Sequence, residues 1–380
     1  MSLILLSIAL ISLGILVAGW VWYPARMASL GRLSLPSSED ERVSGDSRPP
    51  VSVVLATRES TAAILARLAD LRNGSYPSEL LEILVALDGA HADRRDELQN
   101  ALGTSARVVV PDTPGKAAAL SAGVAATQHD LLLFIDTAQT FADDVVDRLV
   151  SKLQDQKWGA ATAMLAPTSG DALMDRYWQR ELDIRVGQMM HHSVICVTGC
   201  AYIMRRVYWS SMPTGLICDD LWSTYSVVTN GARVALVRDA LVTDPRRFSR
   251  EQEFSRRLRT MTGMLQFVRW FPVVVHPVRN PMFRHFLLHK LVRPATPVLL
   301  MIAALCTLAA IFLWSPTLAF VLLVLGVLAL ALPWLLVKVG PPAIARPAGN
   351  ILFAQRLMLM PFDAIGRAVR SDWDIWRPHK

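Results

Sequence analysis

Ile83-Leu84-Val85-Ala86-Leu87-Asp88-Gly89 and Leu131-Leu132-Leu133-Phe134-Ile135-Asp136 are two apolar runs that each stop on an aspartate. Runs of this length without polar alternation read as strands buried on both faces, and such strands belong to parallel sheets covered by helices. Val51 to Thr57 is a third run, and Arg107 to Val110 a short fourth. Between them the pattern turns helical, amphipathic from Glu59 to Leu71 and alanine-rich from Lys116 to Thr127. The expected fold is α/β, with a mixed, mostly parallel sheet and helices on both faces. In open α/β sheets ligands bind beyond the carboxyl ends of the strands, where Asp88 and Asp136 stand. No Gly-x-Gly-x-x-Gly follows the first strand, which argues against a dehydrogenase-type dinucleotide site.

Outward from this block the chain turns apolar. No formal charge falls between Met1 and Ala25, or between Pro294 and Val337. One bilayer crossing takes about 20 residues, so the second run is long enough for two helices, and Ser315-Pro316 breaks it near its middle. Trp20, Trp22 and Tyr23 close the first run like an interfacial belt. That run lacks a basic start and a small-residue cleavage site, and is read as an uncleaved anchor. Arg26, Arg32, Arg284, Lys290, Arg293, Lys338 and Arg346 flank the three runs on one side, while the stretch around Ser315 carries no charge. Positive-inside counting then puts the amino terminus outside the inner membrane, with the central domain and carboxyl tail in the cytoplasm. Pro333 is expected to kink the last span without ending it.

The four cysteines, Cys196, Cys200, Cys218 and Cys306, form no Cys-x-x-Cys pair and no disulfide-like spacing. Cys196 and Cys200 would meet on a helix, but no histidine completes a zinc site, and reduced buried thiols are the plainer reading. His191 and His192 are assigned no metal. A net charge of +7 invites a nucleic-acid reading. The basic cluster from Arg246 to Arg259 adjoins an apolar region, so membrane lipids or a phosphorylated substrate explain it better. Arg246, Arg247 and Arg250 are expected on a solvated face or against lipid headgroups. Tyr177 and Glu181, spaced i, i+4 on a helix expected after the last sheet strand, are read as a packed helix face, with the acceptor site as the alternative. Trp178, Met189 and Met190 are read as core or interface.

The ordered set of motifs carries more than any one of them. The strand ending at Asp88-Gly89, the helix start Gly115-Lys116, the strand ending at Asp136, Val197-Thr198-Gly199-Cys200, Asp219-Asp220-Leu221 followed by Gly231, and Arg256-Arg257-Leu258-Arg259 occur in that order. From Val51 to Gly263 this series resembles the membrane-bound inverting glycosyltransferases of family 2, and most of all those of bacterial exopolysaccharide assembly. The resemblance implies a GT-A, Rossmann-like fold with about three transmembrane helices and amphipathic interface helices. It implies a nucleotide-sugar donor, Asp88 at the nucleobase or ribose, Lys116, Arg259 and Arg256 toward the diphosphate, and Asp136 as ligand of Mg²⁺ or Mn²⁺. Gly199, Cys200 and Asp219 would lie on the acceptor side, and Asp220 would be the catalytic base.

The chemistry is consistent with those assignments. Charge grows on the departing diphosphate as the glycosidic bond breaks, which calls for a cation and amide donors there. Inversion needs one carboxylate to take the acceptor hydroxyl's proton. Asp219 beside Asp220 would discourage ionisation of the base through like charge, and both aspartates suit the start of a helix.

Several positions depart from the family pattern. Asp136-Thr137-Ala138 lacks the second carboxylate of Asp-x-Asp, and Ala56-Thr57-Arg58-Glu59 replaces Pro-Ala-x-Asn. Ser121 stands for a common asparagine, Arg256 for the glutamine of Gln-x-x-Arg-Trp, and Thr260 for its tryptophan. The expected activity is transfer of one sugar, from a UDP-sugar, to a polyprenyl-diphosphate-linked or glycan acceptor, with other polysaccharide-assembly proteins as partners. A processive synthase and a catalytically inactive membrane scaffold remain the alternatives. The expected organisation is an anchor at 1–25, a linker at 26–50, the transferase domain at 51–265, an interfacial segment at 266–293, two spans at 294–338, and a tail at 339–380 with a possible interface helix from Asn350 to Val369. Arg356, Arg367 and Arg370 would face lipid phosphates.

Overall fold

The computed structural model describes residues 1–33, 48–166, 172–246 and 249–373, without the side chains of 172–175 and 177. Much of the 26–50 linker, and Arg247, lie outside the described residues. The elements in chain order are α1 (Ser2–Val17), α2 (Tyr23–Leu33), β1 (Val51–Thr57), α3 (Thr61–Arg72), β2 (Leu81–Leu87), α4 (Arg95–Leu102), β3 (Arg107–Val109), α5 (Lys116–Ala125), β4 (Leu131–Ile135), β5 (Thr140–Phe141) and α6 (Val145–Lys152). They continue with β6 (Trp158–Ala166), α7 (Ala172–His191), β7 (Ala201–Arg205), α8 (Asp219–Val228), β8 (Arg233–Thr243), α9 (Arg250–Trp270), α10 (Phe283–Phe286), α11 (Val292–Trp314), α12 (Pro316–Val339) and α13 (Pro342–Val369). The chain divides into two units. One comprises Ala25–Ser249, Thr262–Phe286 and the stretch from Asp372, the other Met1–Pro24, Arg250–Met261 and Leu287–Ser371.

The first unit is built on an eight-stranded sheet of order β3-β2-β1-β4-β7-β6-β8-β5. β3, β2, β1 and β4 are parallel. β7 then runs antiparallel to both β4 and β6, β8 is parallel to β6, and β5 closes the edge antiparallel to β8. Every residue of β1 and β4 is buried, which is why their sequences show no polar alternation. The parallel half and the mixed half meet at β4, and the carboxyl ends of β1, β2 and β4 open on the same edge.

Two contacts between backbones tie α2 to α7. A Cβ on Gly31 would stand 2.0 Å from the Asp183 carbonyl oxygen, and one on Gly187 would stand 1.9 Å from that of Met27. The helices therefore cross with no side chain between them, and only glycine permits this approach.

Phe267, Val274, Met282 and Phe286 are buried in this unit, and Phe267 and Phe286 both pack on Tyr225 of α8. Part of the segment expected to lie on a membrane interface thus packs inside the protein, while Val278 and Leu287 are exposed. Trp178 and Met190 face outward, while Met189 packs against the core. α7 is followed by β7 and β8, so it lies inside the sheet sequence and not beyond it. Cys196 and Cys200 lie in a loop ahead of β7 and not on a helix, because Ser193 to Cys200 is extended or turned. The His285 and His191 imidazoles are joined by a 2.9 Å hydrogen bond.

The second unit holds α1, α11, α12 and α13, with the first half of α9. Three stretches are long and apolar enough to cross a membrane, Ser2–Leu33, Phe283–Trp314 and Pro316–Val339. Ser315 accepts a hydrogen bond from the Leu318 amide at 3.4 Å and Pro316 occupies the first turn, so the expected break is a helix start. α12 runs unbroken through Pro333. Trp20 donates its indole N–H to Thr296 at 2.8 Å and lies under Arg293. Trp20 and Trp22 are exposed, but Tyr23 is buried and tilts against His289, so the belt reading does not extend to it.

Replacing Gly187 by alanine forces α2 and α7 apart, at a cost of about 1–3 kcal/mol for an overpacked contact. The expected outcome is a lower melting temperature of the detergent-solubilised protein with helix content retained. An unchanged melting temperature would show that the crossing is not a tight one.

Candidate functional site

The ends of β2 and β4 bring two of the expected residues to one edge. Asp88, just past β2, accepts hydrogen bonds through one carboxylate oxygen from the Ala90 amide at 3.1 Å and the Gly115 amide at 2.9 Å. It therefore fixes the loop that launches α5. Gly115 has φ of +115°, in the region that glycine alone enters freely, and the turn hands Lys116 to the first position of the helix.

Lys116 is the centre of the cluster. Its Nζ lies 3.0 Å from Asp136 Oδ1 and 3.2 Å from Asp219 Oδ2. The side chains are little exposed at 18% for Lys116 and 12% for Asp219, while Asp136 retains 32%. Burial alone would loosen the ammonium's proton. The two carboxylates outweigh that and hold Lys116 charged, above the usual lysine range. Asp219 and Asp220 open α8 as the sequence predicts, but they turn to different partners. Asp219 goes to Lys116, while Asp220 Oδ1 accepts from the Leu221 amide at 2.8 Å. The charge of Asp219 is thus met by a cation.

The loop before β7 forms a second wall. A Cβ on Gly199 would lie 3.9 Å from that of Asp220. The Asp136 amide donates to the Cys200 carbonyl at 3.1 Å, extending the β4–β7 ladder to the aspartate. Cys200 is buried, and burial, then the charge of Asp136, pushes its thiol up to about 12.

Three residues of this edge carry no signal in the sequence. Arg185 of α7 reaches under the loop and donates to the Cys196 carbonyl at 3.1 Å and the Thr198 hydroxyl at 3.0 Å. Burial lowers its pKa, while Glu181 and Asp220 are among the groups that oppose the shift. Gln266 of α9 is fully buried, accepts from the Ile217 amide and donates to the Gly215 carbonyl, each at 2.9 Å, and so steadies the approach to Asp219. Arg246, expected on a solvated face or against lipid, grips Asp244 at 2.7 and 2.9 Å. The hydrogen bonds it donates to Asp244 raise its pKa, with the charges of Asp136 and Glu59 adding to the effect. Arg185 and Gln266 depend on contacts with other segments of the chain, whereas Arg246 bonds a residue two positions away. Arg256 and Arg259 belong to the half of α9 grouped with the apolar helices, where Arg256 pairs with Glu253 at 3.6 Å.

Among the described residues no group of three metal-ligating side chains converges, and Ala138 supplies no second carboxylate. Mg²⁺ sites are commonly made from one or two carboxylates completed by substrate phosphates and water. Asp136, partly exposed at the strand end, fits such a substrate-completed site once Lys116 yields it.

The sequence profile described as "Glycosyltransferase like family 2" covers residues 49–263, more than half of the chain, and the chain belongs to that family. An N-acetylglucosaminyltransferase of Rhizobium meliloti (strain 1021) is 29% identical over 190 residues, 47% of this chain and 44% of the relative. One from Rhizobium leguminosarum bv. trifolii is 30% identical over 146 residues, 36% of this chain and 79% of the relative. The chain thus spans less than half the length of the R. meliloti protein. The mannosyltransferase PcManGT from Pyrobaculum calidifontis, solved in complex with GDP-Man and Mn²⁺, superposes with a TM-score of 0.66 at 21% identity, over 97% of this chain and 99% of that one. That likeness establishes the fold.

The thiolate is the reactive form of cysteine, and a thiol raised to about 12 stays protonated through neutral and mildly alkaline pH. Cys200 is expected to resist maleimide in the folded protein and to react after denaturation, as read by peptide mass spectrometry. Labelling of the native protein at the rate of an exposed thiol would show that the β7 edge opens.

Proposed function

We propose that the protein transfers a single sugar, with inversion, from a nucleotide-diphosphate sugar to a lipid-linked or glycan acceptor at the inner membrane. The observation that carries this reading is the Lys116 ammonium held between Asp136 and Asp219 with Asp220 next in the chain. Asp220 takes the proton of the acceptor hydroxyl as its oxygen attacks the anomeric carbon, and the nucleoside diphosphate leaves from the opposite face. Lys116 and the free amides at the start of α5 meet the negative charge that gathers on the leaving group. Asp136 would hold a divalent cation, Mg²⁺ or Mn²⁺, which when bound neutralises further charge on the diphosphate. Asp88 serves the nucleoside end of the donor. Gly199, Cys200 and Asp219 form the acceptor side, and the family pattern assigns Arg259, with Arg256, to the diphosphate.

A UDP-sugar is the donor of choice, and the rhizobial relatives named as N-acetylglucosaminyltransferases support N-acetylglucosamine as its sugar. With the amino terminus outside and the first unit in the cytoplasm, a donor made in the cytoplasm meets an acceptor presented at the bilayer. Thr260 in place of the aromatic platform, with three spans, supports single transfer over processive synthesis. Loss of the carboxylate at Ala138 favours the competing reading, an inactive scaffold within a polysaccharide-assembly complex.

The deciding measurement is release of nucleoside diphosphate from a panel of nucleotide sugars by protein in nanodiscs, with and without Mn²⁺ and lipid extract. Asp220→Asn is expected to cut turnover by about 10²–10⁴-fold, the range of general-base catalysis, while donor binding persists. Lys116→Met is expected to weaken donor binding itself. Full turnover in Asp220→Asn would remove the assigned base. No turnover and no nucleotide binding across the panel would establish the scaffold.

A further inference from the structure

α13 carries an apolar stripe that nothing in its own unit covers. Ile344, Ile351, Leu359, Phe362, Ile365 and Val369 are all exposed, and their spacing places them on one side of a helix. Ala348, Met360 and Ala364 are buried, and α13 packs on α11 and α12. α13 is not among the stretches long and apolar enough to cross a membrane. An amphipathic helix in a unit built from membrane-crossing helices has the bilayer surface as the partner of its open face.

At the carboxyl end of that stripe is a cavity of about 430 Å³, lined by Leu258 of α9 and by Phe362, Asp363, Gly366, Arg367 and Arg370. Two cross-contacts hold α9 along α13, so that Leu258 forms one wall. Arg250 donates to Asn350 at 2.7 Å, and Arg356 stacks 4.1 Å over the ring of Phe254. Arg367 and Arg370 are one turn apart and therefore neighbours. Among the described residues neither guanidinium has an ion-pair partner, and neither does Asp363.

We propose that this cavity binds the headgroup of a phospholipid bearing a primary ammonium. Two planar guanidiniums match a phosphodiester, which accepts paired N–H donors. Asp363 answers the ammonium, which a site made only for anions would not need. Leu258 and Phe362 take the start of the acyl chains, which continue along the open stripe. The occupant comes from the bilayer the helix lies on, and its headgroup fixes the depth and rotation of α13.

The test is native mass spectrometry of the purified full-length protein in detergent, incubated with equal short-chain phosphatidylethanolamine, phosphatidylglycerol and phosphatidylcholine. Phosphatidylethanolamine is expected to be retained over phosphatidylcholine by about tenfold, the worth of one charge-assisted contact. Arg367→Gln with Arg370→Gln is expected to abolish retention of every lipid at this site. Asp363→Asn is expected to keep retention while erasing the preference. Melting curves of the variants, matched to the parent, separate loss of binding from loss of folding. Equal retention of all three lipids, a preference for phosphatidylglycerol, or retention unchanged in the double variant would overturn the proposal. So would full displacement by inorganic phosphate alone, which would mark a small-anion site.

Discussion

One ammonium shared by two carboxylates holds the edge of the sheet together. Asp136 ends β4, Asp219 begins α8, and they lie 83 residues apart in the chain. Without Lys116 two partly buried negative charges would face each other in a low-dielectric setting, where each is costly. Placing the cation there constrains everything before it. Gly115 must turn the chain through a left-handed conformation, and Asp88 must hold the Gly115 amide so that the turn keeps its shape. The alanine-rich face of α5 then lets that helix lie close on β1 and β2.

The elements most legible in the sequence were those buried on both faces. β1, β2 and β4 appear with the boundaries that their apolar runs predict, because strands covered on both sides carry few polar residues. The antiparallel entry of β7 was not legible. Ala201 to Arg205 is as apolar as its neighbours, and strand direction leaves no mark on composition. Of the residues gathered at this edge, Asp88, Lys116, Asp136 and Asp219 could be placed from the sequence, since each sits at an element end. Arg185 and Gln266 could not, because their partners belong to other segments and are mostly backbone groups.

The segment from Phe267 to Phe286 shows a different limit. Aromatics, prolines and arginines are the composition of a membrane-interface element, and the structure buries the key apolar residues against α8. A side chain is withdrawn from water equally well by lipid or by protein, and local composition does not separate the two. Tyr23 makes the same point, since it ends an apolar run beside two exposed tryptophans and yet is buried. In contrast, Ser315-Pro316 could be read correctly, because a helix start depends on short-range hydrogen bonding alone.

The crossing of α2 and α7 has an evolutionary consequence. Most packed pairs can drift together, a larger side chain on one partner offset by a smaller one on the other. At Gly31 and Gly187 no such exchange exists, because each faces main chain and glycine is already the smallest residue. The two positions cannot compensate for one another or for themselves. A lineage that loses either glycine must respace the whole helix pair, so their joint presence in a distant relative would be a marker of this same crossing where overall identity has faded.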